Sequence, residues 1–271
     1  MKNLFDIKDR VIVVTGATGV LAGATARYLA ECGAKVAFIG RNEEKLAEAQ
    51  KFCDDNNLQG IAIKADVMNK ADLISARDTV LAKWGTVDCL VNGAGGNKAG
   101  AVISPDQSFF DLDLNAWEDV FKLNMEGTLL PTIIFGEIFQ KNKKGSIVNF
   151  SSMTAQLAVT RVLGYSNAKA SIDNLTKWLS VEFAKKIGDG VRVNAVAPGF
   201  FLSEQNRTLL TNPDGSLTSR GNDIINATPF ARFGDADEVF GAIHYLCSDA
   251  SKFVTGTVMA IDGGFSCFSG V

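Results

Sequence analysis

The sequence predicts an α/β fold: a single doubly wound parallel sheet of about seven strands with helices on both faces. Three observations lead there. Short β-branched runs alternate with stretches of helical periodicity from end to end. A glycine turn follows directly on the first run. No internal repeat and no Pro/Ser/Gly-rich linker marks a boundary, so residues 1–271 read as one domain.

The predicted strands are Val11 to Val14, Lys35 to Ile39, Ile61 to Lys64, Cys89 to Val91, Ser146 to Phe150, Arg192 to Val196 and Val258 to Ile261. Gly23 to Cys32, Glu43 to Cys53, Ala71 to Lys83 and Ser166 to Lys185 space their apolar residues as helices do. Right-handed crossovers then distribute helices over both faces. The stretch 200–229 differs in texture. It is polar, contains the turn signal Asn212-Pro213-Asp214-Gly215, and suits a mobile segment covering a substrate.

Apolar residues make up 46% of the chain and charged residues 21%, which argues for a globular protein with a substantial core. A net charge of −3 gives no basic footprint for nucleic acid and no polybasic patch for a membrane. The opening Met1 to Lys8 lacks the apolar core of a signal peptide, and no run approaches the ~20 apolar residues of a membrane span. A soluble cytoplasmic protein acting on a small molecule is expected. Five scattered cysteines without a Cys-x-x-Cys pair, and one histidine, His244, argue against a metal site and against a histidine-based triad.

Val11-Ile12-Val13-Val14 runs into Thr15-Gly16-Ala17-Thr18-Gly19, and a helical pattern begins at Val20 and Leu21. Strand, glycine turn and helix start form a phosphate cradle, because the first helical N–H groups are unpaired and the helix dipole favours an anion there. The second strand ends Gly40-Arg41. An acidic residue at that position would bind the ribose 2′-hydroxyl of NAD, whereas Arg41 suits a 2′-phosphate, so NADP is preferred and NAD is the alternative.

Tyr165 and Lys169 stand four residues apart and therefore share a helix face. A free phenol titrates near pH ~10, and a neighbouring ammonium favours its ionised form, which makes the pair a candidate proton donor and acceptor. Ser152 lies thirteen residues before the tyrosine, at the end of an apolar run. Open α/β sheets place their sites at such strand ends, so three polar groups could converge on one carbonyl oxygen. The bland alternative is a tyrosine and a lysine on the wet face of an amphipathic helix.

Taken together, these motifs resemble the short-chain dehydrogenase/reductase family over essentially the whole chain. The resemblance implies a Rossmann-type sheet and an NAD(P)-dependent oxidoreductase acting on a CH–OH/C=O group. It implies that Asp66 and Val67 contact adenine, that Asn92, Ala94 and Gly95 line the dinucleotide, and that Pro198, Gly199 and Ser203 sit near the nicotinamide. Gly93 replaces an asparagine of the family pattern. Asn124, Ser152, Tyr165 and Lys169 match the catalytic residues. Tyr165 would supply the proton, Ser152 would polarise the carbonyl, Lys169 would bias the tyrosine and hold the ribose, and Asn124 would anchor a water relay. A homotetramer packed through the helices containing Asn124 and Tyr165 is also implied. One departure concerns the glycine motif: Val20 and Ala22 occupy the later family glycine positions, with Gly19 and Gly23 each displaced by one.

Longer strings, among them Phe200-Phe201-Leu202-Ser203-Glu204-Gln205-Asn206-Arg207 and Asp214-Gly215-Ser216-Leu217-Thr218, are similar to those of D-mannonate oxidoreductases, the fructuronate reductases. A keto sugar acid is the substrate so implied. Such a substrate needs donors for its hydroxyls and a cation for its acid, and Asn97, Lys98, Gln205, Asn206 and Arg207 are the candidates beside Ser152 and Tyr165, with Arg207 favoured among them. Residues 97–113 are expected to form a second wall. The alternatives are a 3-oxoacyl carrier-protein reductase, a gluconate 5-dehydrogenase-like enzyme, or a dinucleotide-sensing scaffold without chemistry.

Overall fold

A computed structural model describes residues 3–202 and 206–270. Along the chain run β1 (Val11–Thr15), α1 (Val20–Glu31), β2 (Lys35–Gly40), α2 (Glu43–Asp55), β3 (Gly60–Lys64), α3 (Lys70–Trp84), β4 (Cys89–Asn92) and α4 (Leu114–Asn142). They are followed by β5 (Gly145–Phe150), α5 (Leu163–Lys186), β6 (Val191–Pro198), α6 (Arg207–Leu210), α7 (Ser219–Asn226), α8 (Phe240–Cys247) and β7 (Val258–Ile261). All seven expected strands are present.

The strands lie in the order β3-β2-β1-β4-β5-β6-β7, and every neighbouring pair is parallel. Both faces of the sheet are covered, which is why its strands read as continuous apolar runs rather than as alternating ones. Ile12, Val14 and Phe38 point to one side with Leu29 of α1 and Leu246 of α8. Val13, Ile39, Leu90 and Ile147 point to the other with Leu73 of α3, Phe135 of α4 and Leu179 of α5. Each such fully buried side chain contributes about 1.5–3 kcal/mol relative to exposure, so the sheet is the dominant stabilising unit.

Helix starts are fixed by short polar side chains, as Asn69 shows at α3 and Asp113 at α4, where each accepts from backbone N–H groups of the first turn. The order reverses at β1: from there β2 lies on one side and β4 on the other. The connections leaving β1 and β4 therefore diverge, and a crevice opens beyond their carboxyl ends. Among the described residues no helix is long and apolar enough to cross a membrane.

Candidate active site

The turn after β1 is built by steric necessity. Gly16 adopts φ +67°, and a Cβ there would lie 2.6 Å from both Ala94 N and Gly93 O. The turn is thus pressed against the loop leaving β4, and Ala17 N donates to Ile39 O at 3.0 Å to tie it to β2. Helix α1 begins at Val20 behind Gly19, with no side-chain cap and no acidic residue in its first turn. Its first internal bond is Gly23 N to Gly19 O at 2.9 Å, so the amides of Val20, Leu21 and Ala22 precede the ladder and face outward with the positive end of the dipole. The displaced glycines thus find their reason: Gly19 precedes the helix, and a Cβ on Gly23 would come within 2.6 Å of Ala17 O.

A cleft of about 310 Å³ runs from this helix start along the strand ends. Thr18, Gly19, Val20, Leu21, Gly95, Pro198 and Gly199 line it, as do Ser152, Tyr165 and Lys169. Gly199 is required for close approach, since its Cβ would meet Asp262 at 2.7 Å. Asn206, expected at the substrate, also lines the cleft, as does Lys45, which sequence reasoning missed.

Other expected contacts lie elsewhere. The Asn92 side chain is 1% exposed and turns into the core, donating to Thr132 Oγ1 at 3.0 Å and Asn149 Oδ1 at 2.9 Å. Thr15 is also wholly buried, and its hydroxyl accepts from Ala94 N. The side chains of these two belong to the framework, as does that of Val67, which packs beneath Gly127. Arg41 and Asp66 are not among the residues lining the cleft; their side chains pair with each other at 3.5 Å. The space above Gly40 is filled by the Thr18 side chain, which a Cβ would meet at 2.6 Å. Ser203 and Gln205 lie outside the described residues.

Ser152 ends the run from β5, and Tyr165 and Lys169 rise from the first turns of α5. The Lys169 amine is buried, donates to Phe150 O at 2.7 Å, and sits over the Tyr165 ring, 5.3 Å from its centroid. Burial pulls the Lys169 ammonium down from 10.5 to about 8, while buried Asp173, one turn further along α5, opposes that shift. Burial raises the Tyr165 phenol, and a hydrogen bond with the Ser152 side chain draws it back. Asn124 is fully buried in α4. Its Oδ1 accepts from Gly96 N at 3.1 Å, and its Nδ2 donates to Gly96 O at 2.7 Å and Val120 O at 2.8 Å. A Cβ on Gly95 would lie 2.5 Å from Asn124 Oδ1 and 3.4 Å from Lys169 Nζ, so this glycine lets the two side chains approach one strip of backbone. Asp173 escaped the sequence reading; its spacing four residues after Lys169 was the available signal.

A second cavity of about 590 Å³ adjoins the cleft. Asn97 lines it, together with Val102 and Ser104 from the loop after β4, Thr208 and Leu209 from α6, and Arg220 from α7. Of the expected second wall, residues up to Ser104 serve, whereas Phe109 and Phe110 are exposed on the surface. Arg207 is exposed and does not line the cavity, so the expected acid-group contact is corrected to a surface position. Gly96, Ser152, Tyr165, Gly199, Phe200 and Asn206 border both spaces. The Ser152 and Tyr165 side chains thus stand where a dinucleotide in one space and a carbonyl compound in the other would meet. Among the described residues no group of three or more metal-ligating side chains occurs.

Sheet order, glycine turn and this serine–tyrosine–lysine cluster define a dinucleotide-dependent oxidoreductase. The sequence model of the family described as "Enoyl-(Acyl carrier protein) reductase" matches residues 16–266, and the chain belongs to the short-chain dehydrogenase/reductase family. An "Uncharacterized oxidoreductase UxuB" of Bacillus subtilis (strain 168) is 42% identical over 275 residues, covering 98% of both chains. The crystal structure of a "putative D-Mannonate oxidoreductase" from Haemophilus influenza with bound NAD has a TM-score of 0.92 at 38% identity, covering 99% of this chain and 100% of that one. A gluconate 5-dehydrogenase from Burkholderia cenocepacia J2315, in complex with NADP and tartrate, has a TM-score of 0.86 at 29% identity, with 98% of each chain covered.

Proposed function

We propose that the chain is one oxidoreductase domain that reduces a keto sugar acid, of the fructuronate-to-D-mannonate type, with segment 200–229 covering the substrate. The observation that carries the reading is the position of Ser152 and Tyr165 on the border between cleft and cavity, with buried Lys169 beneath the tyrosine ring. A reduced nicotinamide dinucleotide held in the cleft would supply the hydride for the carbonyl carbon. The amides of Val20, Leu21 and Ala22 hold the pyrophosphate at the start of α1. Ser152 donates a hydrogen bond to the carbonyl oxygen as negative charge grows there. Tyr165 gives that oxygen its phenolic proton. Lys169 stabilises the resulting phenolate while Phe150 O fixes its amine. Asn124 holds the loop at Gly96 and anchors a water path behind the tyrosine. Alcohol oxidation is the same sequence reversed, with Tyr165 as base.

Sugar-acid chemistry is supported by what two similar structures are said to act on and by the polar loops around the cavity. Nicotinamide oxidation measured with fructuronate, 5-ketogluconate and acetoacetyl thioesters tests it. Turnover of fructuronate well above the thioester is expected; turnover of the thioester alone would assign the chain to carrier-protein reduction instead.

NADP is the favoured cofactor in this reading, because no acidic residue ends β2 and the Arg41 guanidinium that follows the strand is 66% exposed. Arg41→Ala is expected to lower the NADP-to-NAD ratio of kcat/KM roughly tenfold, the loss of one charge-assisted contact. An unchanged ratio would remove Arg41 from the cofactor site. The reading extends to a cytoplasmic homotetramer. Exposed Ile133 on α4 and exposed Trp178 and Val181 on α5 offer apolar contact surface for it, and light scattering is the check.

A further inference from the structure

We propose that Arg220 is the carboxylate anchor of the second cavity, so that this cavity selects carbonyl compounds bearing an acid group. The inference rests on the reading of Ser152 and Tyr165 as the carbonyl end of the same space.

Among the described lining residues the cations are Lys98 and Arg220. Lys98 is exposed and already paired, its amine 2.8 Å from Asp119. Arg220 is half-buried, and among the described residues its guanidinium forms no ion pair. Its hydrogen bonds go to neutral partners on the neighbouring loop: Nη1 to Thr160 Oγ1 and Nη2 to Thr160 O, both at 3.3 Å. A guanidinium carries five N–H donors, so these two contacts orient the fork and leave donors for a bidentate anion.

On balance the surroundings disfavour the Arg220 charge. Burial disfavours the Arg220 cation most, Arg161 repels it, and Asp223 on its own helix opposes these effects. An arginine stays charged, so an incoming carboxylate relieves the burial and the repulsion together. Arg161 itself holds φ +77°, a strained value for a residue with a side chain, in the loop that grips Arg220.

The position of Arg220 is fixed by packing. A Cβ on the next residue, Gly221, would lie 2.2 Å from Leu210 O, so α7 presses directly on the backbone of α6. Thr218 locks the same corner, its hydroxyl accepting from Gly221 N at 3.1 Å and donating to Leu209 O at 2.8 Å. Arg220 therefore reaches the cavity from a rigid corner, as a selective contact requires.

Calorimetric binding of D-mannonate and of the neutral polyol mannitol to the dinucleotide-saturated protein tests the assignment, in the unsubstituted chain, Arg220→Gln and Arg220→Lys. The unsubstituted chain should prefer mannonate. Arg220→Gln should weaken mannonate roughly 10- to 100-fold, the loss of a charged hydrogen-bonding pair, while mannitol binding moves less than threefold; Arg220→Lys should fall between. Mannonate affinity within twofold of the original in Arg220→Gln, or equal losses for both ligands, overturns the anchor and makes Arg220 a loop tether. Should Arg220→Gln fail to bind dinucleotide, the mannonate-to-mannitol ratio of Arg220→Lys decides, an unchanged ratio counting against the anchor. A chain that prefers tartrate to mannonate through Arg220 keeps the anchor and loses the sugar-acid reading. One that binds mannitol as tightly as any acid loses the anchor.

Discussion

Tyr165→Phe is expected to lower kcat for carbonyl reduction by about 10³-fold, or ~4 kcal/mol in the barrier, while dinucleotide affinity stays within about threefold. The ring remains to cover Lys169, and only the proton donor is lost, so the ratio of the two effects identifies the role. Retention of a tenth of the original turnover would reject Tyr165 as the acid. The same assay carries a pH signature. Burial lowers Lys169 to about 8, so its amine is a cation below that value and neutral above it. Tyr165, raised by burial, keeps its proton over this range. For reduction, kcat/KM should hold steady up to about pH 8 and decline above it as the charge that stabilises the phenolate disappears. A profile flat to pH ~10 would separate Lys169 from the proton transfer.

Gly16→Ala is expected to cost about 2–4 kcal/mol of stability and to weaken dinucleotide binding by about 10²-fold. Positive φ alone is a modest penalty, as Gly85→Ala would report, because Gly85 has φ +76° and nothing within 4 Å of a built Cβ. At Gly16 the obstruction is backbone of the loop after β4, at 2.6 Å, and backbone cannot swing aside as a side-chain tip can. The new methyl must push the β1 turn away from the β4 loop, and both border the cleft. Urea denaturation of the two variants side by side gives the difference, and calorimetry gives the affinity. Equal costs for the two would show that the contact at Gly16 yields without consequence.

The strands were legible because a sheet covered on both faces demands β-branched runs, and each of the seven does. Tyr165 and Lys169 were legible because i and i+4 fix a shared face whatever the surroundings. Helix α4 was less so: Pro131 interrupts its 29 residues, and its buried face mixes threonine, asparagine and glycine with apolar side chains. The inward turn of the Asn92 side chain was not legible, since a side chain one residue from the cleft can still point away from it in a strand of period 2. Arg207 and Arg220 both sit in polar stretches with nothing local to rank them. Only the packing of α7 on α6 turns the second toward the cavity, although the unusual string ending at Thr218 lay two residues before it.

The border between the two spaces is narrow, consisting of Gly96, Ser152, Tyr165, Gly199, Phe200 and Asn206. The proposed assignments put Arg41 on one side of it and Arg220 on the other. On the proposed assignments the chain is modular for protein engineering: coenzyme choice would rest with Arg41 after β2 and substrate choice with Arg220 on α7, with the proton-transfer apparatus as the shared hinge pin. An altered coenzyme preference and an altered substrate range could then be evolved in separate libraries and combined afterwards.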